Sequence, residues 1–303
     1  MYIEQAYRKG FNFALYLPIP VVFLVMMVLN YVAIKLLNIN TEDLLRQQVE
    51  EKGENRVFVE LIAPLSVALV LLLLWVKYVH KQTIRSLTTS RKKVDWGRIF
   101  FAFGIWASFT IAVTLIDFYS NPGHYEWNFE PVPFAILAVL SIVLIPMQTS
   151  FEEYLFRGYL MQGIGIATRT RLAALLTTSV IFGLLHIANP EVGKMGMLIM
   201  VYYIGTGLFL GIITLMDEGM ELALGFHAAN NLVTALLVTS EWTAFQTNSV
   251  LKEVTEPQAG ISIVFPVVII FPILLFIFSK KYKWHNWKEK LTGKVVLPTH
   301  EIY

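Results

Sequence analysis

The chain contains no cysteine. That excludes disulfides, thiolate metal sites and a cysteine nucleophile. Charge is also scarce, at 15% of 303 residues, where a soluble domain of this length carries nearer a quarter. The net charge of +2 is small, and no basic patch is interleaved with aromatic residues, so nucleic acid is not an expected partner. No internal repeat or low-complexity segment is present. Three hydrolase signatures are missing as well. There is no GxSxG, no pair of aspartates inside an apolar block, and no HExxH, since the only His-Glu dipeptide is His300-Glu301 in the polar tail.

What is abundant is apolar surface. Hydrophobic residues make up 56% of the chain and the mean hydropathy is +0.59. They fall in blocks at roughly 11–37, 58–79, 99–118, 131–148, 171–188, 197–216, 221–239 and 261–279. A helix needs about 20 residues, within a range of ~17–25, to cross a bilayer core of ~30 Å. The weak alternation of barrel strands is absent, so helices are the remaining way to satisfy the backbone in lipid. The composition predicts an all-α polytopic bundle of about eight spans, in contact with the bilayer. The first block is too long for a signal peptide and lacks a small-residue cleavage site, so it reads as a span.

With eight spans both ends of the chain share one side. That side collects eighteen lysines and arginines against five in the other loops. The positive-inside rule then predicts cytoplasmic termini, with the cell membrane as the expected location. Residues 1–130 read as three spans plus a short surface helix at 41–52, residues 131–279 as a five-span core, and 280–303 as a basic cytoplasmic tail. Pro146 and the polar run Gln148-Thr149-Ser150 interrupt the fourth block. Ser150 and Glu153 have the spacing of a capping box, so a fresh helix is expected from Ser150 to about Gly165. It would either dip in from the cytoplasmic side or extend the fourth span. Were it to cross separately, the charge bias would vanish.

Ionisable groups inside apolar blocks cost about 2.5–3.5 kcal/mol each at mid-bilayer, so those present call for a reason. In SFEEYLFRGY, residues 150–159, Glu153 and Arg157 are one turn apart and can pair on one face. Glu152 points ~100° away from Glu153 and is left for another partner. His186 closes FGLLH, with Phe182 one turn before it. A hairpin turning near Thr168 puts Glu152 and His186 at similar depth. GFHAANN places His227 and Asn231 at i, i+4, where both can donate hydrogen bonds to a developing oxyanion. Gly205, Gly207 and Gly211 in GTGLFLG form a small-residue face suited to close helix packing. Taken together, a carboxylate and a histidine can take a proton from water while a histidine and an amide hold the oxygen of a tetrahedral intermediate. That is peptide hydrolysis without a protein nucleophile.

EEYLFR, FGLLH and HAANN resemble, in order and spacing, the EExxxR, FxxxH and HxxxN motifs of the type II CAAX prenyl endopeptidases. The wider bacterial CPBP family of intramembrane proteases, with its abortive-infection-type members, shares them. The resemblance covers about residues 148–235. It implies an eight-span intramembrane endopeptidase acting on a membrane-associated or lipidated protein or peptide, with a cavity open to the cytosol. It assigns Glu152 and His186 to water activation and His227 and Asn231 to the oxyanion. Glu153, Arg157 and Phe182 become structural support. No cofactor is expected. The alternative is zinc held by Glu152, His186 and His227 with an open fourth position. Two other functional readings share these residues: a non-catalytic immunity or scaffold protein of the same fold, and a proton-coupled transporter.

Overall fold

The computed structural model describes residues 1–257 and 260–297. The end of the basic tail, with the His300-Glu301 dipeptide, lies outside them. Among the described residues, seven helical stretches are long and apolar enough to cross a membrane. They are Pro18–Leu36, Glu54–Tyr78, Trp96–Ser120, Pro131–Thr168, Arg171–Ala188, Pro190–Asp217 and Ile261–Tyr282. The chain is therefore an all-α polytopic membrane protein. By element, α1 is Pro18–Leu36, α2 Thr41–Lys52, α3 Glu54–Tyr78, α4 Ile84–Thr88 and α5 Trp96–Ser120. Next, α6 is Pro131–Glu153, α7 Met161–Thr168, α8 Arg171–Leu184, α9 Pro190–Met195 and α10 Ile199–Asp217. Finally, α11 is Glu221–Leu237, α12 Ile261–Phe265, α13 Phe271–Tyr282 and α14 Trp287–Thr292.

The eighth apolar block forms α11, whose 17 residues reach ~25 Å at 1.5 Å per residue. Residues 221–229 of it are all buried. It is the axis of the bundle, packed on α5, α6 and α10, whereas α1 is almost wholly exposed along its apolar length. Small residues allow the closest approaches. A Cβ on Gly225 would meet the Ile99 carbonyl oxygen at 2.0 Å, and one on Gly207 the Ser179 carbonyl oxygen at 2.6 Å.

No helix starts at Ser150, which corrects the capping-box expectation. The helix runs on through Pro146, and a π-helical segment, Tyr154–Leu160, joins α6 to α7 without a break. Proline removes one backbone hydrogen bond, and the packing of α6 on α3 and α11 outweighs that loss. The Glu helix is thus an extension of the fourth span. The turn to α8 falls at Arg169, in the left-handed region.

The two ends of the bundle are built differently. At one end the N-terminal segment, the stretch 84–98 and the tail meet. Tyr2 donates to the carbonyls of Leu87 and Arg157, Arg91 and Arg98 pair with Asp217, Trp284 donates to Asp217, and Thr170 bridges Lys294. At the other end lies a three-stranded sheet of order β1-β3-β2, made of β1 (Tyr125–Trp127), β2 (Val238–Thr239) and β3 (Leu251–Glu253). Strand β3 runs antiparallel to β1 and parallel to β2. Ion pairs Arg46–Glu241 and Lys194–Glu42 tie α2 to the β2–β3 connection and to α9.

Candidate active site

Glu153 and Arg157 form the ion pair expected from their spacing, at 3.0 Å, with both side chains fully buried. Arg157 also donates to the Gly207 carbonyl at 3.2 Å and lies over the Phe182 ring, 4.1 Å from its centroid. Phe182 in turn contacts the rings of His186 and His227. The supporting residues thus connect α6, α8, α10 and α11. One partner was not foreseen: Oε1 of Glu153 also takes Nδ1 of His227 at 2.8 Å.

These contacts put a proton on Nδ1 of both histidines. A carboxylate paired with Arg157 only accepts, so His227 carries its proton on Nδ1. His186 Nδ1 lies 2.9 Å from the Phe182 carbonyl, another acceptor, so it too is protonated there. Nε2 is left to the cavity, as a lone pair in a neutral ring and as an N–H donor in a protonated one. His227 Nε2 stands 3.9 Å from Oε2 of Glu152, too long for a direct hydrogen bond and wide enough for a bridging water. Glu152 Oε1 accepts from Gln148, and Gln148 Oε1 accepts from Asn231 at 3.1 Å. The His186 ring stacks on Tyr203, with centroids 4.5 Å apart and planes 19° from parallel.

Glu152, His186, His227 and Asn231 line one cavity of about 470 Å³. Its walls include Phe23, Leu65 and Phe226, and it extends to Ser240, Trp242 and Glu253. Burial raises the carboxyl of Glu253 above the ordinary range. The lining includes no residue from the end that holds the N-terminal segment and the tail. The hairpin explains the placement, because about 16 residues separate Glu152 from the turn at Arg169, some 24 Å of helix.

Among the described residues, no three His, Asp or Glu side chains are gathered so as to hold a metal ion. Glu152, His186 and His227 share a cavity, with Nδ1 of His227 and Oε1 of Glu152 engaged and Nε2 of His227 and Oε2 of Glu152 left to it. Gln148 and Tyr203 were not singled out from the sequence. For Gln148 a signal existed, a glutamine one turn before Glu152 on its face; for Tyr203 there was none.

The chain is 35% identical over 167 residues to "Uncharacterized protein YyaK" of Bacillus subtilis (strain 168), which covers 55% of this chain and 56% of that protein. It thus spans about half the length of the curated relative it matches. No solved structure matches. Residues 131–233, the stretch that holds every motif residue above, match the family described as type II CAAX prenyl endopeptidase Rce1-like.

Proposed function

We propose that the protein is an intramembrane endopeptidase that hydrolyses a peptide bond of a membrane-associated or lipidated protein or peptide, without a metal. One observation carries this reading: a carboxylate oxygen and two histidines whose Nδ1 atoms are engaged elsewhere, leaving Nε2 for the cavity, converge on one cavity inside the bundle. The matched family, one of prenyl endopeptidases, supports it at the level of reaction class.

In this mechanism Glu152 accepts a proton from a water held between it and the histidines, and the water oxygen bonds to the carbonyl carbon. The carbonyl π pair moves to oxygen, giving an oxyanion that an N–H of Asn231 and the Nε2–H of His227 receive, the His227 ring having entered the step as an imidazolium with a second proton taken up from solvent. Glu153, bonded to Nδ1, offsets the charge on that imidazolium, as an acidic partner does for a catalytic histidine. Collapse breaks the C–N bond, and the proton on Glu152 passes to the leaving nitrogen. The products are a carboxylate and an amine. Preorganised donors in a site walled from lipid are worth more than in water, because the local dielectric is low.

The test compares peptide termini in membranes carrying the native protein and the Glu152→Gln variant at equal abundance. New termini confined to the native sample support the reading and name the substrate. Identical termini in both would remove it.

A further inference from the structure

Glu152 is the last of five side chains joined by hydrogen bonds that all point one way. Trp106 Nε1 donates to Asn230 Oδ1 at 3.1 Å, and Asn230 Nδ2 donates to Asn231 Oδ1 at 3.0 Å. Asn231 Nδ2 donates to Gln148 Oε1 at 3.1 Å, and Gln148 Nε2 donates to Glu152 Oε1. The chain crosses three helices, from α5 to α11 to α6. Its direction is dictated by its first member. An indole N–H can only donate, so the Asn230 amide must face Trp106 with its oxygen. Each following amide inherits that orientation. The last link needs an acceptor, which an ionised carboxylate is.

The chain divides the labour between the two oxygens of Glu152. Oε1 is held by Gln148, and Oε2 is left facing the cavity and His227 Nε2. It does the same for Asn231, whose oxygen and one N–H are engaged while its second N–H stays free for the cavity. We infer that Trp106, Asn230 and Gln148 are positioning residues, which through this one-way chain select Oε2 of Glu152 as the proton-accepting oxygen and aim the free N–H of Asn231. The catalytic consequence rests on the hydrolase reading above; the chain itself rests on hydrogen-bond geometry alone.

Asn230→Asp tests it, because it keeps the size and offers only acceptors. One Asp oxygen takes the Trp106 N–H, and the other forces the Asn231 amide to turn and donate. Asn231 then shows its oxygen to Gln148, which turns as well and sets its own oxygen against Glu152. The chain is reversed, and the repulsion is relieved by protonating or displacing the carboxylate. Misplacement of this kind costs up to about 10²-fold in rate. The expected result is a kcat lower by about 10- to 100-fold with KM kept, and an acid limb of the pH–rate profile moved to higher pH. Trp106→Phe, which removes the donor that sets the direction, should show the same changes to a smaller extent and serves if Asn230→Asp does not fold.

A second readout needs no activity. In the protein labelled with ¹⁵N at tryptophan, the Trp106 indole proton should move downfield in Asn230→Asp, since bonds to a carboxylate are stronger than bonds to an amide. Thr206→Val, on the same cavity wall but off the chain, should leave it in place. An unmoved indole signal in Asn230→Asp, or a pH profile coincident with the native one, would overturn the inference. A moved signal in a protein whose Glu152→Gln variant still hydrolyses would keep the hydrogen bonds and remove the catalytic role assigned to them.

Discussion

Oε1 of Glu153 is shared: Arg157 Nη1 reaches it at 3.0 Å and His227 Nδ1 at 2.8 Å. Its second oxygen has no partner, nor does Nε of Arg157. One atom therefore both neutralises a buried guanidinium and fixes the ring that faces Glu152, so stability and orientation are coupled at a single position.

Glu153→Gln should lose both. Removing one side of a buried ion pair costs about 3–5 kcal/mol, so melting temperature and yield should fall. Pairing it with Arg157→Gln should recover part of the stability, because no charge is then left alone. Activity per folded molecule should stay low in the double variant, since His227 still lacks its charged anchor. Melting curves and turnover measured on the same detergent preparations check this. Full activity in the double variant would show that Glu153 acts only through Arg157.

Much of this was legible because it is local. The i, i+4 spacing carries the Glu153–Arg157 pair, equal residue counts about Thr168 place Glu152 and His186 in one cavity, and block lengths announce the helices. What stayed hidden depends on contacts between residues far apart in the chain. Gln148 meets Asn231 across 83 residues and Trp106 meets Asn230 across 124. Both depend on how closely α11 lies between α5 and α6, an approach that Gly225 permits against the Ile99 carbonyl. Gln148 was further masked by Pro146, which reads as a helix end in sequence and lies inside α6. The side on which the cavity opens follows from which loops close over it, and no local pattern reports that.

Orientation can be tested directly, since the chain has no native cysteine to interfere. Eighteen of the 24 lysines and arginines lie at or near the end that holds the N-terminal segment and the tail. The positive-inside rule predicts that this end is cytoplasmic and the sheet end lies on the opposite side. An impermeant maleimide added to intact cells should label Glu126→Cys, on β1, and spare Lys92→Cys. The opposite pattern would reverse the orientation.

Metal removal is the third test. With Glu152 and the two histidines sharing a cavity but not grouped as ligands, protein stripped with strong chelators should keep its activity. Zinc analysis should give well below one ion per chain. Stoichiometric zinc that tracks activity on removal and return would require the three side chains to close around an ion, with three protein ligands and an open position as in catalytic zinc sites. Asn231 would then be an orienting group rather than half of an oxyanion site.

The last prediction separates the adjacent glutamates, about which a purely structural reading and a catalytic one disagree most. If the buried polar residues only brace the bundle, Glu153 matters and Glu152 is dispensable, because Arg157 pairs with Glu153 alone. Glu152→Gln would then be nearly silent. If Glu152 is the base, the same change keeps shape and polarity and can still accept a hydrogen bond from Gln148, but cannot take a proton from water. A positioned base contributes roughly 10²–10⁴ in rate, so hydrolysis should nearly vanish while the melting temperature stays within a few degrees of the native one. Glu153→Gln should show the opposite emphasis, with a large loss of stability. Measuring both variants for melting temperature and turnover in one detergent makes the comparison internal. A stable Glu152→Gln protein with native turnover would end the hydrolase reading, because no other carboxylate among the described residues stands within 4 Å of a histidine facing the cavity except Glu153, and Glu153 is already committed to Arg157.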